Sequence, residues 1–215
     1  MINPFFKNKG PFKIDELLEL SNVPNISNFK DKKILDIKDL TSANENNITF
    51  FHSKKYENLA SKTNAIYCIT TNNLAHMLPS SCLPILVENV LIITARITKV
   101  FYPDSVTDDF DQNISDIKNT SLAKITKHGK NVLIGKNVLV GKNCLIGHNS
   151  IIESNVIIGD DCSIGSNVII RNTIIKNNVS ILDGCVIGKK GFGFFPDKEK
   201  NFRYPHIGIV IIEDN

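Results

Sequence analysis

The chain has 215 residues, 42% hydrophobic and 22% charged, with a formal net charge of +3. That profile excludes intrinsic disorder and leaves room for one large domain or two small ones, each with its own core. The charge is too weak to argue for nucleic acid. The longest apolar stretch, residues 85–100, is broken by Glu88, Asn89 and Arg96, so no transmembrane segment is expected, and no signal-peptide core stands at residues 1–10. Five cysteines without a CxxC pair suggest a reduced, cytoplasmic chain.

In chain order, Phe12–Ser21 (FKIDELLELS) reads as a short amphipathic helix with Phe12, Ile14, Leu17 and Leu18 on one face. Ala65–Thr70 (AIYCIT) and Pro84–Val87 (PILV) read as buried strands, and Asn89–Tyr102 as a helix ended by Pro103. Together they predict an α/β domain over 1–103. The polar, acidic stretch 104–116 is either a linker or the ragged first coil of a repeat region.

From His128 the chain divides into sixes: HGKNVL, IGKNVL, VGKNCL, IGHNSI, IESNVI, IGDDCS, IGSNVI. After a one-residue slip in Ile170–Ile174 the frame resumes with IKNNVS, ILDGCV and IGKKGF. A period of six suits neither a helix nor an alternating strand. It suits a parallel β-helix whose sides are short strands separated by tight turns. The first-position aliphatics (Ile134, Val140, Ile146, Ile152, Ile158, Ile164) should point inward and stack on their equivalents eighteen residues on. Asn, Asp or Gly at the fourth position fits a left-handed corner, and the small fifth-position residues should fill it from inside. Cys144, Cys162 and Cys185 fall at fifth positions, where core packing is expected, not a disulfide or a metal site. No histidine pair has metal-ligand spacing. His148, outward at a third position, is the best placed of five histidines as a base, yet a structural or solvated role, not a catalytic one, is expected for each.

Two segments carry a family resemblance. Ile48-Thr49-Phe50-Phe51-His52-Ser53-Lys54-Lys55-Tyr56 resembles the ITF…N-P-K-Y segment of UDP-3-O-acylglucosamine N-acyltransferases, with Ser53 for the usual Asn and Lys54 for the Pro. Gly188-Lys189-Lys190-Gly191-Phe192-Gly193-Phe194, with Pro205-His206-Ile207-Gly208 and Val210-Ile211-Ile212, resembles that family's D-G-F-G-[FY] loop and I-P-Q-I-G-x-V-I-I segment, with Lys190 for the Asp. The resemblance spans essentially the whole chain. It implies a nucleotide-binding α/β domain followed by a left-handed parallel β-helix over 117–215, the handedness resting on the resemblance alone.

The implied activity moves a 3-hydroxyacyl chain from acyl carrier protein to the 2-amino group of UDP-3-O-acylglucosamine, in lipid A biosynthesis, with no cofactor beyond the carrier thioester. The family holds uracil between two aromatic rings, by position Phe50 and Tyr56, with Ser53 where an amide reads the base. Gly191, Phe192, Gly193 and Phe194 complete the implied substrate-binding set. Phe192, Phe194, Phe195 and Phe202 either line an acyl groove or plug the flank of the repeat. The family's general base is a histidine in a later hexapeptide, expected beyond Asn215, so no catalytic residue is assigned here. Ile212-Glu213-Asp214-Asn215 reads as the start of a further hexad, so a C-terminally truncated chain, inactive alone, is expected. The full-length enzyme is implied to be a homotrimer. The alternatives are another hexapeptide nucleotide-sugar acyltransferase and a non-catalytic nucleotide-sugar-binding β-helix.

Overall fold

The computed structural model describes residues 3–23, 32–107, 109–196 and 201–215. They fall into two compact units, one built of 6–23, 32–107, 192–196 and 201–205, the other of 3–5, 109–191 and 206–215.

The first unit is organised by a four-stranded parallel sheet in the order Asp36–Ile37, Asn47–Phe51, Tyr67–Thr70, Leu83–Leu86. Its interior strands are buried on both faces, which is why they read as continuous apolar runs: Ile48, Phe51, Tyr67, Cys68 and Ile69 have no exposed surface. The helix Val90–Phe101 starts where Asn89 accepts the Ile92 N–H at 3.1 Å, satisfying one of the orphan donors of its first turn. It packs against the helix Ile14–Leu20, whose Ile14, Leu17 and Leu18 are buried. Phe12 is not on that helix. Phe12–Lys13 is a strand antiparallel to Lys33–Ile34, because Lys13 is extended (φ −68°, ψ 147°), and the Phe12 ring still reaches the core, edge-on to Phe101 at 5.3 Å.

In the second unit each hexad contributes a two-residue strand made of its predecessor's sixth position and its own first. Successive strands enter three different sheets in rotation, so residues one full coil apart pair in parallel register: Ile134 with Ile152 and Ile170, Ile146 with Ile164 and Ile181, Val140 with Ile158 and Ile175. This arrangement fits a parallel β-helix. First-position residues fill the interior, as Ile152, Ile164 and Ile170 are fully buried. The fourth-position residues from Asn131 to Gly184 take a left-handed backbone, with φ from 55° at Asn143 to 66° at Asn155, and 75° at Gly184, whereas in the expected hexad IGKKGF the left-handed residue is Gly188 and not the fourth-position Lys190. The corner amides stack as ladders, Asn131 donating to Asn149 at 3.1 Å and Asn137 to Asn155 at 3.2 Å. Fifth-position side chains lie inside the corners. Cys144 and Cys162 are free, buried thiols that donate to the Gly159 and Lys176 carbonyls, and Ser150 donates to that of Gly165 at 2.8 Å.

A further device sits at the third position. Its side chain accepts the N–H of the third-position residue one coil below: His148 from Lys130, Ser154 from Lys136, Asp160 from Lys142, Ser166 from His148, Asn177 from Asp160, Asp183 from Ser166 and Asp214 from Asn177. The slip in Ile170–Ile174 is the loss of this position, since Asn172 takes the left-handed corner (φ 48°) directly after Arg171. Ser154 therefore has no acceptor above it. Asp111, from the polar segment, takes that role and accepts the Ser154 N–H at 2.7 Å. The same segment covers a sheet edge, Ser115–Asp116 pairing antiparallel with Leu133–Ile134, so it behaves as a first coil more than as a free linker.

The Asp111 carboxyl is held below its ordinary value: burial alone raises it, but hydrogen bonds from Ser154 and Asn113 outweigh that. We expect Asp111→Ala to destabilise the unit by about 1–2 kcal/mol at neutral pH, as the buried-side N–H loses a charged acceptor. Because the folded pKa is lowered, the contribution is complete above the unfolded value of ~3.9 and is lost as pH falls through the folded one. Denaturant midpoints of wild type and variant should therefore converge in acid. A gap that persists there contradicts the assignment.

Outward, sixth-position residues differ by sheet. One sheet presents Leu133, Ile151, Ile169 and Val186, the next Leu139, Ile157, Ile174 and Ile211, and the third Lys127, Leu145, Ser163 and Ser180. Leu139 (60%), Val186 (53%) and Ile211 (44%) are exposed.

Candidate functional site

Ligands of open parallel sheets gather beyond the carboxyl ends of the strands. At that end, the strand Asn47–Phe51 runs directly into an aromatic cluster. Phe51 is buried and anchored on the next strand by Thr70, whose hydroxyl donates to the Phe51 carbonyl at 2.9 Å. The neighbouring Phe50, on the other face, is only half-buried. Ser53 then caps a single 3₁₀ turn, Lys54–Tyr56: its hydroxyl accepts the Lys55 N–H at 3.4 Å and its carbonyl the Tyr56 N–H at 3.0 Å. That turn brings Tyr56 back beside the strand end.

A third ring joins Phe50 and Tyr56 in the cluster. The imidazole of His52 lies near both rings, 6.3 Å from Phe50 at 26° and 5.5 Å from Tyr56 at 48°. Lys55 lies with its Nζ 5.9 Å from the Tyr56 centroid. The sequence pointed to Phe50, Ser53 and Tyr56 for this site and put His52 beside it, without a role in it. The signal for it was the i, i+2 spacing of Phe50 and His52, which puts both on one face of an extended chain.

The Gly-Phe loop divides between the units. In the β-helix unit, Gly188 has φ +73° and a Cβ there would fall on the Arg171 carbonyl oxygen, so only glycine fits where the chain leaves the coil. Gly191 donates its N–H to His206 Nδ1 at 2.9 Å, and the His206 ring lies against Gly208 as well. Lys190, standing where the resemblance implies an aspartate, acts on Glu153, which pairs with Arg171 at 3.1 Å. Burial pushes the Glu153 carboxyl up, against the pull of Arg171, with Asp111 adding to the rise and Lys190 opposing it.

In the α/β unit, Phe194–Pro196 and Asn201–Arg203 form an antiparallel pair, joined across its base by the Tyr204 N–H donating to the Gly193 carbonyl. Phe195 packs edge-on to Tyr204 at 5.3 Å, and Phe202 lies under Arg96 at 6.0 Å. Phe192 (91% exposed) and Phe194 (50%) touch each other at 5.7 Å and otherwise face solvent. The four phenylalanines thus divide into two whose rings pack against Tyr204 and Arg96 and two whose rings are largely exposed.

Backbone groups engage three of the other histidines. His148 Nδ1 accepts the Lys130 N–H at 2.9 Å, so in the neutral ring the proton is on Nε2 and neither nitrogen is a free base. His206 is committed in the same way through Gly191. His128 Nδ1 lies 2.9 Å from the Gly129 carbonyl, and His76 ends the short helix Asn72–Ala75.

The model of the family UDP-3-O-(3-hydroxymyristoyl) glucosamine N-acyltransferase, LpxD, matches residues 31–100, which contain the aromatic cluster. That of the bacterial transferase hexapeptide matches 125–157 and 137–172. UDP-3-O-acylglucosamine N-acyltransferase 2 of Legionella pneumophila (strain Paris) is 39% identical over 212 residues, covering 97% of this chain and 61% of its own length. The chain is thus similar to UDP-3-O-acylglucosamine N-acyltransferases over nearly its whole length.

Its similarity to that family is not confined to one genus. The Rickettsia prowazekii (strain Madrid E) member is 37% identical over 219 residues, and the Rickettsia bellii (strain RML369-C) member 36% over 222. The chain covers 62% and 64% of those two, so it spans about three fifths of the length of the curated relatives it matches. No helix among its described residues is long and apolar enough to cross a membrane.

Proposed function

We propose that the protein moves a 3-hydroxyacyl chain from the thioester of acyl carrier protein to the 2-amino group of UDP-3-O-acylglucosamine, and that these 215 residues supply its uridine-binding unit and the first coils of a left-handed β-helix. The observation that carries the reading is the aromatic cluster at the carboxyl end of the parallel sheet, inside the segment that the family model matches. Phe50 and Tyr56 grip the uracil faces. Ser53, with its hydroxyl already capping the turn, offers the base edge a weaker reader than an amide. Lys55 adds a positive charge at the rim, suited to a diphosphate. On the β-helix unit, two of the three sheets carry outward aliphatic ladders and the third is largely polar, which suits assembly of three copies through their apolar faces.

Attack of the amine on the thioester needs a base to take its proton and donors for the oxyanion. The engagement of His148 and His206 by backbone N–H groups favours a second reading for these residues taken alone, nucleotide-sugar binding without transfer. Both readings share one test. Calorimetric titration with UDP-N-acetylglucosamine should give saturable binding at one site per chain. A folded chain that takes up no nucleotide overturns both.

A further inference from the structure

The corner left by the slip in Ile170–Ile174 is also where a stretch of chain leaves the coil and returns to it. In the regular hexads a corner amide donates to the corner side chain one coil on: Asn131 to Asn149, Asn137 to Asn155 and Asn143 to Asp161. Asn172 does something else. Its Nδ2 donates to the Gly188 carbonyl at 3.0 Å, where the chain departs, and its own carbonyl accepts the Val210 N–H at 2.9 Å, where the chain re-enters. One residue thus holds both ends. Beyond it Val210, Ile211 and Ile212 pair in parallel with Thr173, Ile174 and Ile175. Asp214 then accepts the Asn177 N–H across 37 residues, as His148 accepts that of Lys130 across 18, so the coil closes as though the intervening chain were absent. We infer that the slip is a clamp: Asn172 is the positioning residue for the Gly191–Phe194 segment, through which the protein meets the acyl chain of its sugar substrate. The inference rests on the acyltransferase reading and deepens it.

Three observations suit that role. The departing chain lies directly on the slip corner: a Cβ at Gly188 would meet the Arg171 carbonyl oxygen and Thr173 Oγ1, and the buried Thr173 hydroxyl donates to that same carbonyl at 2.6 Å. Further out, the two legs are tied again, by the Gly191 N–H on His206 Nδ1 at 2.9 Å and by Asn3 Nδ2 on the Ile207 carbonyl at 2.8 Å. Directly after Gly191 comes an aromatic pair with little cover, Phe192 almost wholly exposed and Phe194 half so, their rings edge-on to each other. Adjoining exposed rings of this kind are a surface for an apolar ligand, and the acyl chain is the apolar part of the proposed substrate. Pinning both ends of a segment narrows the conformations open to it, so less order has to be gained when a ligand docks there.

The test is titration of the full chain with UDP and with UDP-3-O-acylglucosamine, comparing wild type with Asn172→Asp, Asn172→Gly and Phe192→Ala, each checked for folding by circular dichroism. Asp and Gly both tolerate the left-handed corner (φ 48°), and neither side chain can donate to the Gly188 carbonyl, so the coil is kept while the clamp is lost. Both Asn172 variants should bind UDP as wild type does and UDP-3-O-acylglucosamine about three- to tenfold more weakly, the range expected for one lost hydrogen bond. A merely structural role would lower both affinities or neither. Phe192→Ala should show the same selective loss, and adding Asn172→Asp to it should remove little more, because the two act through one contact. An unchanged preference for the acylated ligand in the Asn172 variants, with UDP still bound, overturns the inference and leaves the uridine reading standing. If wild type binds neither ligand, the acyltransferase reading falls and the clamp's role with it. A second measurement needs no ligand. Trypsin should cut after Lys189 and Lys190 several-fold faster in Asn172→Asp than in wild type. Equal cleavage rates contradict the clamp.

Discussion

Ile152→Ala should destabilise the β-helix unit by about 2–5 kcal/mol, lowering its thermal midpoint on the order of 10 °C. Ile152 is fully buried and lies between Ile134 and Ile170 in one sheet, so the deleted atoms leave a cavity with coils on both sides. The strands are only two residues long, and each coil relies on the stack for its position. Relaxation into the cavity would have to shift a whole coil, which the stapled corners resist: the Lys136 N–H to Ser154 bond and the Asn137–Asn155 ladder hold the next corner of that coil at 2.9 and 3.2 Å. Substituting the outward neighbour, Ile151→Ala, provides the control, since that side chain is only half-buried and should cost far less. Equal losses at the two positions would contradict the inward stacking of first-position residues.

Phe50→Ala should lower the affinity for UDP-N-acetylglucosamine by about ten- to a hundredfold, within the ~1–3 kcal/mol that one ring contributes to stacking a base. The ring is half-buried on a strand whose next residue, Phe51, carries the core packing, so its removal should leave the fold intact. Tyr56→Ala should act in the same direction, and Tyr56→Phe should not, because stacking needs the ring and not the hydroxyl. Unchanged affinity in Phe50→Ala, with the protein folded, would move the nucleotide elsewhere.

Periodicity decides how much of the fold is legible in the sequence. Asn131, Asn137 and their successors recur every six residues because each must tolerate a left-handed φ, 56° and 59° at these two, and a repeated backbone demand leaves a repeated residue. The interior Ile column is legible for the same reason. Third-position residues look unrelated as a set (His148, Ser154, Asp160, Asn177, Asp214), yet all present an acceptor to the coil below, and what recurs is a capability instead of an identity. Asp111 lies outside the repeat, and its bond to Ser154 spans 43 residues, so no pattern announces it. In the α/β unit the helix of residues 90–101 shows its cap and its apolar face, whereas Phe12 reads as helical from its spacing although strand pairing with Ile34 decides its state. At the site, Phe50 and Tyr56 are reached through resemblance. His52 lies beside them in the sequence, but its contacts with both rings emerge only when the strand end and the capped turn are built.

Saturation-transfer NMR of the full chain with UDP-N-acetylglucosamine tests the central claim, a uridine slot at the carboxyl end of the parallel sheet, most directly. The account predicts the strongest saturation on the uracil H5 and H6 protons, with loss of that signal in Phe50→Ala. Saturation confined to the sugar, or uracil saturation that survives Phe50→Ala, would contradict it.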